Sequence, residues 1–293
     1  MAPAGEPALA GAGGGVAFVL GGGGGPLGAH EVGMLRALVE HGVAPDLVLG
    51  TSVGAINGAA LAAAPSPAGV ERLTELWGAI DRNDPFGGSV LGRLGTLART
   101  RTHLHDSRRL RALLTESLPV VRIEELTVRF ECVAASIERA CEHWFSEGPV
   151  VDAVLASAAV PGLLPPVEIA GEHFIDGGIV NSIPVGRAVQ LGARRIYVLH
   201  VGRLDRPLQP PRWPWEVGLV AFEVARRHRF LGDLAALPEG IEVHVLPTGQ
   251  REPARYSDLA QLRYRDTSRA RERIAQAHEA SSRYLETQAR NAD

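Results

Sequence analysis

Lysine is missing from this 293-residue chain, and all 30 of its basic residues are arginine. Arginine does not release its proton near neutral pH. Schiff-base chemistry, a Ser–Lys pair, pyridoxal-phosphate attachment and a Walker-type phosphate loop are therefore excluded. Cysteine is nearly absent as well: Cys132 and Cys141 are too few and too far apart for a zinc site. His103 and His105 have no third ligand nearby in sequence, so no metal is expected. No run approaches the ~18 consecutive apolar residues that span a bilayer, because charges or prolines interrupt each one. The N-terminus lacks the basic lead of a secretion signal, and a cytoplasmic location is expected. A net charge of −3 argues against a nucleic-acid partner.

What the chain does have is apolar content, 45% of its residues, enough to fill a substantial core. Residues 1–14, rich in Ala, Gly and Pro, are expected to be disordered. Residues 15–250 read as one α/β domain, with a loop-rich insertion at 82–106. Residues 251–293 read as a helical extension packed on that domain, with helical spacing from Asp266 to Leu285.

The most informative segment is Gly50-Thr51-Ser52-Val53-Gly54. It follows the apolar run Asp46-Leu47-Val48-Leu49 and precedes an Ala-rich run from Ala55 to Ala64. Strand, hydroxyl-bearing hinge and helix make a nucleophile elbow, with Ser52 on a strained turn. Gly50 and Gly54 flank it because larger side chains would collide with the bend. A serine hydroxyl is a weak nucleophile unless a base and an anion-stabilising pocket accompany it.

A second feature lies upstream. Val16-Ala17-Phe18-Val19-Leu20 reads as a buried strand running into Gly21–Gly25, Pro26, Leu27 and Gly28. A helix follows, with Val32, Leu35, Leu38 and Val39 on one face and Gly42 at its end. Such a loop presents backbone N–H groups and a helix N-terminus to an anion, phosphate or oxyanion alike. Gly23-x-Gly25-x-x-Gly28 formally fits the dinucleotide fingerprint. A ribose-binding acid, however, belongs at the end of the second strand, where this chain has Gly50-Thr51-Ser52. Asp46 stands at that strand's beginning, which disfavours the nucleotide.

With lysine absent, the base for Ser52 must be a carboxylate or a histidine. Asp176 is the best candidate, in Glu172-His173-Phe174-Ile175-Asp176-Gly177-Gly178. Taken alone, Asp-Gly is a strong hairpin signal, and an ordinary turn is the favoured reading of that stretch. His200 and His244, each near the end of an apolar run, would serve a Ser–His–Asp triad instead.

Three blocks together resemble the patatin-like phospholipase family: the glycine loop and helix from Gly23 to Leu35, the elbow from Gly50 to Gly58, and Ala156-Ser157-Ala158-Ala159-Val160-Pro161-Gly162 with Pro165-Pro166 and Asp176-Gly177-Gly178. Order and spacing match from about residue 15 to 205. The resemblance implies a Ser–Asp dyad of Ser52 and Asp176. It implies an oxyanion hole of loop amides around Gly23, Gly24, Gly25 and Gly28, with Gly50, Gly54, Gly177 and Gly178 in support. It further implies lipid or acyl-ester substrates, peripheral membrane contact and no cofactor. One position departs from the family: Leu27 stands where the loop usually carries Arg or Lys. A lipid-binding regulator without turnover, or the triad esterase, is the alternative.

The expected fold is a three-layer α/β sandwich with a mainly parallel central sheet and helices on both faces. Strands are expected at 16–20, 46–49, 127–135, 173–176, 195–201 and 241–246. For the stretch from Trp213 to Leu231, two readings stand open. One is a core helix with a solvated basic end, Arg226-Arg227-His228-Arg229. The other places Trp213 and Trp215 at a lipid surface.

Overall fold

Val16–Leu20 (β1) pairs in parallel with Leu47–Thr51 (β2) on one side and with Arg195–Leu199 (β7) on the other. These are continuous apolar runs, as expected of strands covered on both faces. The computed structural model describes residues 15–23, 28–83, 105–201, 207–208, 210–249 and 270–292. The N-terminal segment 1–14, Gly24, Gly25, Leu27, most of the 82–106 insertion with His103, and residues 251–269 lie outside the described residues.

Pairing follows the order β5-β6-β3-β2-β1-β7-β8, with β4 also on β3. Here β3 is Arg129–Ser136, β4 Cys141–Phe145, β5 Val167–Ile169, β6 Glu172–Asp176 and β8 Glu242–Val245. The five strands β3-β2-β1-β7-β8 are parallel, while β4, β5 and β6 join antiparallel. The register of β3 matters most. It pairs with β2 over Arg129–Val133, with β6 over Ala134–Ser136 and with β4 over Cys132–Ser136. Because β4 overlaps both others, it must hold the opposite edge of β3. β2 and β6 therefore meet end to end on one edge, Thr51 opposite Val133 and Asp176 opposite Ala134, its neighbour.

Helices cover both faces. On one side lie α1 (Gly28–Glu40), α2 (Val53–Ala63), α3 (Pro67–Asn83), α4 (Arg108–Ser117) and α5 (Val150–Ser157), around a core containing Phe18, Leu35, Phe130 and Phe174. On the other, α7 (Val185–Gln190) and α8 (Pro214–Ala235) bury Val185, Ala188 and Phe230 against Ala17, Val19 and Val198. A four-residue turn of helix, α6 (Gly178–Asn181), follows β6 directly. The last helix, α9 (Ala270–Ala292), packs on α1 so closely that a Cβ at Gly33 would fall 2.2 Å from the Ile274 carbonyl oxygen.

The three-layer architecture agrees with the expectation, but details differ. β4 and β5 were not anticipated: β4 carries Glu142 and His143 and is only partly covered, and β5 is three residues long. The strand expected at 195–201 ends at Leu199, leaving His200 and Val201 to face the glycine loop. In α8 the reading of a core helix with a solvated basic end is reversed in part. Val217, Phe222, Val224 and Leu231 are exposed, whereas Arg226 is buried.

Candidate active site

Ser52 is held between β2 and α2 at φ 56°, ψ −121°, a left-handed φ that a non-glycine residue adopts only under constraint. Such a conformation costs about 1–3 kcal/mol and persists because the surroundings enforce it. The constraint is close packing. A Cβ at Gly50 would lie 2.5 Å from Ala55 Cα, and one at Gly54 would lie 2.3 Å from the Leu20 carbonyl oxygen. The elbow helix thus starts against the end of β1, beside the glycine loop, and only glycine fits at either flank.

The Ser52 hydroxyl donates to Asp176 Oδ2 at 2.6 Å. The other carboxylate oxygen, Oδ1, accepts the Gly178 N–H at 2.7 Å. Both side chains are buried. Burial pushes the Asp176 carboxyl up to about 6, against the opposing pull of the Ser52 and Gly178 hydrogen bonds. It is then a far better proton acceptor than an ordinary carboxylate, yet still ionised at neutral pH. The separation of 2.6 Å leaves no room for an imidazole between hydroxyl and carboxylate. His200 instead packs beside Gly21, held neutral by burial and by the neighbouring Arg226 and Arg227. His244, on β8, stacks on Tyr197 and contacts the Tyr284 hydroxyl.

The segment after α5 fastens both partners. Ser157 Oγ accepts the backbone N–H of Ser52 at 2.9 Å. The carbonyls of Ser157 and Ala159 accept the N–H groups of Gly177 and Asp176. Thr51 Oγ1 donates to the Asn181 carbonyl, tying the end of β2 to α6.

The glycine loop enters this site from β1. Gly21 N–H donates to the Leu199 carbonyl and Gly22 N–H to the Ser182 carbonyl. A Cβ at Gly22 would lie 3.6 Å from Ser52 Cβ, so the loop runs alongside Ser52. Gly23 packs against Val201, and Gly28 opens α1 against Val53 and Trp77. Gly24 and Gly25, expected to supply amides, lie outside the described residues.

Beneath the loop is a polar network that sequence reading missed. Asn57 Nδ2 donates to the Gly28 carbonyl at 3.0 Å and to Glu31 Oε2 at 2.8 Å. Trp77 Nε1 donates to Asn57 Oδ1 at 2.9 Å. Glu31 is fully buried, and burial raises its carboxyl well above the usual range against the lowering effect of Asn57. Its position was discoverable: Glu31 falls on the face of Leu35 and Leu38 at helical spacing.

A model of the patatin-like phospholipase family matches residues 18–189. The chain belongs to the patatin-like phospholipase family. The matched span takes in the end of β1, the elbow, the Ser157 segment and Asp176. Among relatives, lysophospholipase NTE1 of Kluyveromyces lactis is 28% identical over 190 residues, 65% of this chain and 13% of that protein. A patatin-like phospholipase domain-containing protein of Caenorhabditis elegans is 30% identical over 188 residues, 63% of this chain and 13% of the relative. The chain therefore spans about an eighth of the length of these two relatives. A crystal structure of VipD from Legionella pneumophila aligns at 14% identity and a TM-score of 0.46, covering 93% of this chain and 67% of that one. This patatin-like chain has no helix, among its described residues, long and apolar enough to cross a membrane.

Proposed function

We propose that the chain is a lipid acyl hydrolase in which Ser52 is the nucleophile and Asp176 the general base. The observation that carries this reading is the 2.6 Å hydrogen bond between a strained elbow serine and a buried carboxylate. Ser52 Oγ attacks the ester carbonyl carbon while its proton passes to Asp176. The carbonyl oxygen becomes an oxyanion, received by amides of the glycine loop at Gly23, Gly24 and Gly25 and at the start of α1, Gly28. Removing one such donor typically costs a hundredfold or more in turnover. The tetrahedral intermediate collapses, Asp176 gives its proton to the departing alcohol, and an acyl-serine remains. Water then attacks that ester, Asp176 takes its proton and returns it to Ser52, and the carboxylic acid leaves.

Family membership and relatives named lysophospholipase support fatty-acyl esters of glycerophospholipids as the substrate class. Residues 15–250 would form the catalytic unit, with the C-terminal helix as its outer support. Peripheral contact with a lipid surface would run through the exposed face of α8, which carries Val217, Val224 and Leu231, together with Trp213 just before the helix. Phe222 lies against Gly178, beside the dyad.

A fluorophosphonate probe tests the assignment. The wild-type chain is expected to gain one adduct, mapped to Ser52 by mass spectrometry, and to release fatty acid from a lysophospholipid. Ser52→Ala is expected to do neither. An unlabelled but folded wild-type chain would return the lipid-binding regulator as the better reading.

A further inference from the structure

Gly21 to Gly28 carries no basic side chain, yet a guanidinium reaches the loop from more than 200 residues away. Arg226, on α8, donates through Nη1 to the Gly22 carbonyl at 3.3 Å. The same nitrogen lies 3.4–3.5 Å from both ring nitrogens of His200, a contact across the ring rather than a directed bond. Glu223 grips the rest of the guanidinium, Nε at 3.0 Å and Nη2 at 2.7 Å, and also accepts Arg227 Nε at 2.8 Å. Arg226 is only 9% exposed.

A buried ion pair is poor evidence of stabilisation, since apolar side chains of similar volume usually serve as well. Its value here is where it holds the backbone. A peptide unit is flat and trans, so its carbonyl and its N–H point in opposite directions. The N–H groups of Gly21 and Gly22 are fixed by Leu199 and Ser182, and Arg226 fixes the Gly22 carbonyl. The next N–H, that of Gly23, is thereby set facing away from Arg226.

We propose that Arg226 is a positioning residue for acyl transfer at Ser52: by holding the Gly22 carbonyl it aims the Gly23 N–H into the pocket beside the nucleophile. The inference rests on the Ser52–Asp176 reading and adds the means by which the oxyanion loop keeps its shape. It also gives Glu223 a role, as the clamp that orients the guanidinium.

The test compares wild type, Arg226→Met and Arg226→Lys on p-nitrophenyl butyrate, with kcat expressed per active site titrated by a fluorophosphonate. Methionine fills the stem's volume, and Glu223 keeps Arg227 as a partner. For Arg226→Met, kcat per site is expected to fall about 10- to 100-fold while KM changes less than about threefold, as for a misaimed oxyanion donor. Arg226→Lys, with charge but no planar fork, is expected to fall between the two. Wild-type kcat per site in Arg226→Met overturns the proposal. Should that variant fail to fold, wild-type kcat per site in Arg226→Lys overturns it equally. A wild-type chain that neither labels nor turns over sinks the dyad reading instead, which separates the two failures.

Discussion

The Ser157 hydroxyl and the Ser52 backbone N–H share a 2.9 Å hydrogen bond across 105 residues of sequence. The strained elbow is thus anchored by the segment whose carbonyls hold Asp176 and Gly177. One short stretch after α5 fixes both partners of the proposed dyad, so their 2.6 Å separation is set by backbone contacts as well as by the side chains themselves.

Ser157→Ala removes the acceptor and leaves a buried N–H unpaired. A loss of about 1–3 kcal/mol is expected. Urea unfolding followed by circular dichroism measures it, and kcat should fall alongside because the elbow loses its tether. An unfolding midpoint equal to wild type would show that the bond contributes nothing.

Under the proposed mechanism, Asp176 gives activity a defined acid limb. Its carboxyl must be ionised to accept the Ser52 proton, so kcat/KM is expected to rise with pH through about 6 and then level off. Asp176→Asn should lower kcat by about 10²–10⁴-fold and abolish that limb. A limb unchanged in a residually active Asn variant would assign it to another group.

The same carboxyl opposes stability at neutral pH. Its folded value, about 6, lies above the ordinary value of 3.8, so the folded state binds the proton more tightly. Its contribution is fully present below pH 3.8 and is lost as pH rises through about 6. The loss is on the order of 3 kcal/mol. Relative to wild type, Asp176→Asn is therefore expected to gain stability between pH 4 and 7, the gain offset in part by weaker bonds to Ser52 and Gly178. Denaturation midpoints across that range measure the difference.

Glu31 and Asn57 should respond very differently to substitution. Burial raises the Glu31 carboxyl well above the usual range and so favours its protonated form, which an amide mimics; Glu31→Gln is expected to cost less than about 1 kcal/mol of stability. Because its folded value is raised, wild-type stability is lost as pH climbs through that value, and the Gln variant should lack this decline. Asn57→Ala leaves the Gly28 carbonyl, the Trp77 indole N–H and Glu31 Oε2 without their shared partner. A loss of about 3 kcal/mol or more is expected, since each buried unsatisfied group costs ~1–3 kcal/mol. Thermal melts of the two variants provide the comparison.

Local sterics made much of this site legible. The elbow could be read because a strand that turns sharply into a helix admits only glycine at its tight flanks, as the contacts of Gly50 and Gly54 bear out. The strands β1, β2 and β7 were legible because a strand buried on both faces is mostly apolar, a pattern that β3 keeps only in part around its buried Glu131. β4 was not, since an edge strand bearing Glu142 and His143 has no such signature. Arg226 was misread for a related reason: a basic run on a helix looks solvated until the packing shows which face turns inward.

Taken alone, the sequence determined the chemistry open to this protein. The absence of lysine and the order of three short blocks narrowed the base to a carboxylate or a histidine, because side-chain identity and local backbone sterics act within a few residues. Only the tertiary structure decided which distant groups meet. Asp176 reaches Ser52 because β6 takes over the edge of β3 one residue beyond the end of β2. Its raised proton affinity, the raised carboxyl of Glu31 beneath the loop and the enclosed guanidinium of Arg226 beside it all follow from burial, which is a property of the packed chain and of no single segment.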